Sequence, residues 1–175
     1  MVKFLKKIPV WFYIVTFVFL ILILLFLYDK KTELPAVKIP VRNSVRVTRV
    51  IDGDTFEIEA GKRVRYIGID TPELATKQKS AQCFSQEAAE KNKELIEGKT
   101  VQLEKDRSET DRYGRLLRYV YINNTFVNKI LIEEGFAKVD AFLPDVKYYS
   151  LLKEAETQAK TNRKGLWNSC IMYND

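Results

Sequence analysis

The chain has 175 residues, 46% of them hydrophobic and 30% charged, which describes a globular protein and excludes a disordered one. Its formal net charge is +6, but residues 1–38 hold six lysines against two acids, so the rest of the chain carries only +2 and attracts polyanions through local clusters alone. Histidine is absent and there are two cysteines, which rules out histidine or cysteine-only zinc sites, Ser-His-Asp triads and histidine general bases.

Residues 1–7 form a short basic N-terminus with Lys3, Lys6 and Lys7. Residues 8–28 follow without a charge. As a helix they would span about 31 Å, the thickness of a bilayer's hydrocarbon core. Trp11, Tyr13 and Tyr28 stand near the ends, where interfacial aromatics collect. The expected arrangement is a single-pass membrane anchor, with the N-terminus cytoplasmic and the domain exported. The alternative is a cleaved signal peptide and a secreted product, but no small-residue cleavage site follows Tyr28. Residues 29–43 read as a linker with Pro35 and Pro40, residues 44–170 as one domain, and residues 171–175 as a tail.

Within the domain, Val45, Val47 and Val50 alternate as a first strand that reaches an Asp52-Gly53 turn. Thr55 to Glu59 is a second strand, Ala60-Gly61-Lys62 a hairpin, and Arg63 to Ile69 a third strand. Ser85 is the expected N-cap of a helix from Gln86 to Glu97, ended by Gly98. Strands are expected at Thr100 to Glu104 and Arg115 to Ile122. A short helix opens at Thr125 or Asn128 and stops at Gly135. Residues 145–163 form a last amphipathic helix, with Leu151, Leu152, Ala155 and Ala159 inward. Five short strands with helices inserted late predict an α+β fold, with an OB-type five-stranded barrel as the leading candidate. Cys83 and Cys170 are expected to bond, which suits export. The alternative is two unrelated buried thiols.

The chemistry concentrates in three segments, Ile51-Asp52-Gly53-Asp54-Thr55, Arg65 to Glu73, and Asp111-Arg112-Tyr113-Gly114-Arg115. Asp54 starts one strand and Asp70 ends another. If the strands pair across the Ala60–Lys62 hairpin, the two carboxylates meet at one barrel end, where a hard cation could bind. Strict alternation puts Arg65 and Asp70 on opposite faces unless the strand bulges, and Gly68 is the place for a bulge. Glu73, on an irregular loop after Pro72, could take a proton from water. Arg65 and Arg115 could grip a phosphate in bidentate fashion. Taken singly, each has a plain reading as a turn aspartate, a solvated arginine or a surface glutamate.

These segments, with Gly165-Leu166-Trp167, resemble the staphylococcal nuclease (thermonuclease) family over residues 44–168. The resemblance implies an OB-fold barrel with three helices. It also implies Ca²⁺ held by Asp54, Asp70 and the main-chain carbonyl of Thr71. Glu73 matches the family's general base, and Arg65 and Arg115 match its phosphate-binding arginines. The implied activity is cleavage of DNA and/or RNA, with little sequence specificity, to 3′-phosphate ends by a monomeric catalytic domain. The alternative is a non-catalytic module of this fold that binds nucleic acid or protein. Lys77, Lys79, Tyr113 and Phe142 are candidate nucleic-acid contacts. The Ala141-Phe142-Leu143 segment departs from the family, whose members often carry base-stacking tyrosines there.

Overall fold

The computed structural model describes residues 10–29 and 43–170, so the N-terminal segment 1–7, most of the 29–43 linker and the 171–175 tail lie outside the described residues. The chain divides into two units, residues 1–38 and 39–175.

In the first unit, helix α1 covers Val10–Asp29. Its side chains are described at positions 11, 12 and 15–23, where Trp11, Phe17 and Phe19 are exposed. Among the described residues no helix is long and apolar enough to cross a membrane.

In the second unit, strands β1 (Asn43–Val50), β2 (Thr55–Ile58), β3 (Arg63–Tyr66), β5 (Thr100–Glu104) and β6 (Leu116–Ile122) run in the order β3-β2-β1-β5-β6, and β6 pairs back onto β3. That last, parallel pairing closes a five-stranded barrel. Strand β1 serves both halves, pairing with β5 through Asn43–Arg46 and with β2 through Val47–Val50, with a register shift between Val47 and Arg49. Such a shift bends a strand, which a long strand in a small barrel requires. Val47, Phe56, Val64, Val101 and Val120 point inward and are fully buried.

The third strand is shorter than its sequence suggests. It stops at Tyr66, and Gly68–Asp70 forms a separate strand, β4, that leaves the barrel and pairs antiparallel with β8 (Lys138–Asp140). Gly68 sits at φ +79°, and a Cβ there would come within 2.9 Å of Leu152, so a side chain would face both backbone strain and a clash. The break resets the alternation, which is why Arg65 and Asp70 reach each other.

Helices α2 (Ser85–Ile96), α3 (Val127–Glu133), α4 (Tyr149–Thr161) and the four-residue α5 (Leu166–Ser169) complete the fold, with a two-residue strand β7 (Thr125–Phe126) before α3. Three helix starts differ from expectation: α4 begins at Tyr149 rather than at residue 145, and the starts of α2 and α3 differ as well. Ser85 is not the cap of α2: Phe84, in the left-handed conformation, holds that position, and Ser85 is buried inside the first turn. Thr125 belongs to β7, and Asn128 lies inside α3. In α4, Leu152, Ala155 and Ala159 are buried as expected, but Leu151 is exposed because the apolar stripe is narrower than the sequence suggests.

Two buried asparagines tie helices to the barrel end that carries the site. Asn128 accepts from the Val120 N–H at 3.0 Å and donates to the Ile67 carbonyl at 2.8 Å, fixing the junction between β3 and β4. Asn92 accepts from the Tyr66 hydroxyl at 2.8 Å and donates to the Asp52 carbonyl at 2.9 Å, fixing the turn before β2. Cys83 and Cys170 form a disulfide across a sequence separation of 87 residues, joining the segment before α2 to the end of α5.

Candidate active site

The 51–55 turn is built by its own polar groups. The Asp54 N–H donates to Asp52 Oδ1 at 3.0 Å, and the Ile51 and Asp52 amides both donate to the Thr55 carbonyl. Gly53 is required for what packs on the turn, since a Cβ there would fall 2.6–2.8 Å from the Thr71 side chain. With Thr71 that close, its N–H and its hydroxyl both donate to Asp54 Oδ2, at 2.9 and 3.0 Å. Burial pushes the Asp52 carboxyl above its ordinary range, opposed by the Arg65 charge and by hydrogen bonds from Thr55.

Asp54 is 1% exposed, and a buried carboxylate needs a counter-charge. Arg65 supplies it: Nη1 forms a salt bridge with Asp54 Oδ1, and Nη2 donates to Asp70 Oδ1 at 2.7 Å and to the Ile69 carbonyl at 3.2 Å. The two carboxylates therefore converge, but on a guanidinium. Arg65, read from the sequence as a group facing phosphate, is also the counter-ion of the acids expected to hold the cation.

Arg115 is held separately. Its Nε donates to Asp111 Oδ2 at 2.7 Å, and its own N–H donates to Asp111 Oδ1 at 2.9 Å. Burial raises the Asp111 carboxyl, but these bonds and the one from the Tyr113 N–H outweigh it and hold the group below its usual range. Arg115 Nη1 donates to the Thr55 hydroxyl at 3.3 Å, and that hydroxyl donates to Asp54 Oδ1 at 3.2 Å. Thr55 thus links the two arginine networks. Its place in the Asp-Gly-Asp-Thr segment was the available signal, but the sequence assigned it no role.

A cavity of about 620 Å³ opens beside these groups, lined by Arg65, Arg115, Tyr113, Asp140 and Phe142, among others. Tyr113 and Phe142 are 68% and 71% exposed, and the Arg115 guanidinium lies 5.4 Å from the Tyr113 ring centre. Asp54 and Asp70 pair with Arg65, and Thr71 bonds to Asp54, but none of the three lines the cavity. Glu73 is exposed on the segment between β4 and α2, also outside the lining. The neck of that segment is closed by Gln82, whose Oε1 accepts from the Glu73 N–H at 2.7 Å and whose N–H donates to the Glu73 carbonyl at 2.9 Å. Lys77 and Lys79 are exposed at its tip, organised around the Thr76 hydroxyl.

Two acids in the cavity wall escaped the sequence reading. Asp145 accepts from the Arg107 and Ser108 amides at 2.9 and 2.8 Å, fastening one rim loop to the other. Asp140, in β8, has its carboxyl raised by burial and by the Asp70 charge, with Arg65 opposing. Neither sits in a motif: the pairing of β4 with β8 places Asp140, and the contact with the Arg107 and Ser108 amides places Asp145.

For a divalent cation the fit is one of chemistry. Asp54 and Asp70 offer oxygen alone, converging on a single positive group, as a hard cation requires. Among the described residues no three acidic or cysteine side chains gather as a metal cluster, so a set with two carboxylates needs backbone oxygen and water to complete its shell.

Comparison with known proteins agrees with this architecture. Residues 63–169 match the family model described as staphylococcal nuclease homologue. The chain is 37% identical over 127 residues to a thermonuclease of Staphylococcus hyicus, covering 71% of this chain and 75% of that protein. It is 38% identical over 130 residues to endonuclease YncB of Bacillus subtilis (strain 168), covering 62% of that protein, and 36% identical over 129 residues to the SPbeta prophage-derived endonuclease YokF of the same organism, covering 44%. The chain belongs to the staphylococcal nuclease family.

Proposed function

We propose that this chain is a phosphodiester hydrolase: a Ca²⁺-dependent nuclease that cuts DNA and/or RNA with little sequence discrimination and leaves 3′-phosphate ends. The observation that carries the reading is that Arg65 and Arg115 line one cavity together, with Thr55 joining Arg115 to the Asp54–Arg65–Asp70 cluster. The names of the similar proteins, a thermonuclease and two endonucleases, support it.

Each residue has a role in this reading. Asp54, Asp70 and the Thr71 carbonyl would hold the cation, which when bound supplies positive charge that polarises a phosphoryl oxygen. Arg65 and Arg115 present planar donors to the phosphate and stabilise the charge that builds on its oxygens. Glu73 takes a proton from water as the water oxygen bonds to phosphorus. The bond from phosphorus to the 5′ oxygen breaks, phosphate stays on the 3′ oxygen, and the 5′ oxygen takes a proton from solvent. Arg115 is not the proton source, because a guanidinium holds its protons too tightly.

The reading includes anchoring by residues 8–28 with the domain outside the cytoplasm. An uncharged segment of that length and a disulfide are both features of exported, membrane-tethered proteins.

The test is digestion of single- and double-stranded substrates by the full-length chain in detergent, with and without calcium, beside Glu73→Gln and Arg115→Ala. Calcium-dependent cleavage that falls at least a hundredfold in both variants supports the enzyme. A folded parent that binds polynucleotide but leaves it intact would establish the binding module instead.

A further inference from the structure

The register of β4 against β8 sets Gly68 opposite Asp140 and Asp70 opposite Lys138. In an antiparallel pair these four residues share one face, while Ile69 and Val139 take the other and pack into the core. Asp140 therefore stands diagonally from Asp70, and it lines the cavity together with Gly68 opposite it. The cations that could neutralise it are engaged elsewhere. Arg65 is bonded to Asp54, Asp70 and the Ile69 carbonyl. The Lys138 ammonium lies over the Trp167 ring, 5.7 Å from its centre. Among the described residues no donor is hydrogen-bonded to the Asp140 carboxylate.

A carboxylate that is partly desolvated and has both oxygens open calls for a donor from the ligand. It repels phosphate, so the phosphate belongs at the arginines and another part of the substrate meets Asp140. Phe142, two residues further on, exposes flat apolar surface on which a base can stack, while the Tyr113 ring already carries the Arg112 and Arg115 guanidiniums. A stacked base turns its edge toward the wall. Among the four bases, guanine alone carries two adjacent donors on its Watson–Crick edge, N1–H and N2–H₂, which match the two oxygens of one carboxylate.

We propose that Asp140 is a specificity-determining residue: it accepts the two edge donors of a guanine next to the scissile phosphate and biases an otherwise permissive enzyme toward that base. The inference rests on the nuclease reading for its substrate. Its base preference can also be measured without cleavage.

The experiment maps cleavage ends on random single-stranded DNA by sequencing, using the full chain and its Asp140→Ala and Asp140→Asn variants. Calorimetric titration with dGMP, dAMP, dTMP and dCMP runs in parallel. A bidentate contact of this kind gives roughly tenfold selectivity for guanine at one flank of the cut, falling to near unity in both variants. Uniform base usage by the parent overturns the proposal, whatever the variants do, and so does guanine enrichment that survives in Asp140→Ala. Equal enrichment of cytosine overturns the two-donor contact. A loss spread evenly over all sequences, or one reversed by extra calcium, places Asp140 in the charge balance of the site and also overturns it. If the parent binds dGMP preferentially but cuts nothing, the nuclease reading fails and the base contact stands.

Discussion

Replacing Arg65 by alanine should cost stability as well as activity. Asp54 is 1% exposed, and its Oδ1 has Arg65 as its only cationic partner among the described residues. Removing one partner of a buried ion pair costs about 3–5 kcal/mol, because the remaining charge is stranded. Asp54 keeps three donors, the Thr71 N–H, the Thr71 hydroxyl and the Thr55 hydroxyl, which places the loss near the lower end, about 3 kcal/mol. For a domain of this size that is a fall in Tm of roughly 10–15 °C. Asp54→Asn removes the stranded charge, so the double variant should recover much of the loss, with a coupling of about 2 kcal/mol. The same logic gives a cation signature. Calcium at a hundred times its Kd stabilises a folded state by about 2.7 kcal/mol, and in Arg65→Ala no guanidinium competes for the two carboxylates. Thermal melts with calcium and with chelator should therefore show a larger calcium-induced rise for Arg65→Ala than for the parent. A variant that melts within about 2 °C of the parent in chelator would refute the counter-ion role. Equal calcium shifts in both proteins would refute the convergence of cation and guanidinium on the same acids.

Three further outcomes follow from other contacts. Gln82→Ala opens the neck beneath Glu73, so kcat should fall while KM holds, and limited proteolysis near Lys77 and Lys79 should accelerate. Glu156 ties α4 to β8 by accepting from the Val139 N–H and from Lys153. Burial raises its carboxyl, but these bonds and Lys160 win and hold it below its ordinary 4.5. A depressed carboxyl contributes stability above its unfolded pKa and loses it as pH falls through the folded one, so the parent should weaken below pH 4.5. Glu156→Gln, measured by denaturant melts, should show a shallower acid limb, with a loss of about 1–2 kcal/mol at neutral pH. Cys83→Ser, or reduction, removes a closure over 87 residues, for which the chain-entropy model gives roughly 4–5 kcal/mol, read as a lower denaturation midpoint.

The barrel was legible because its strands obey alternation, and Val47, Phe56, Val64 and Val101 are both the apolar positions and the buried ones. The motif residues were legible because their types are improbable together. What stayed hidden depends on pairing between distant segments. Strand β4 departs from the barrel because β8, some seventy residues later, offers it a partner, and alternation within Arg63–Ile69 carries no trace of that. Asp140 belongs to the cavity through the same pairing. Ser85 has the side chain of a cap and still does not cap, because the left-handed Phe84 takes the position and its ring stacks on Phe136. Local propensity gave way there to a tertiary contact.

The site is a closed balance of charge before anything binds. Asp54 and Asp70 share Arg65, and Arg115 leans on Asp111, with Thr55 between the pairs. A cation or phosphate that binds at Arg65 must then displace an internal partner, so its affinity is set by a difference between two well-satisfied states. A cation competes with Arg65 for the acids, and a phosphate competes with the acids for Arg65. Each ligand relieves the competition the other faces, since a cation on the carboxylates leaves the guanidinium free for phosphate. Cation and nucleotide should therefore bind with positive coupling, and by linkage each must raise the other's affinity by the same factor. Titrating calcium with and without a non-cleavable nucleotide tests this directly. Independent affinities would mean that Arg65 serves one of its two partners only.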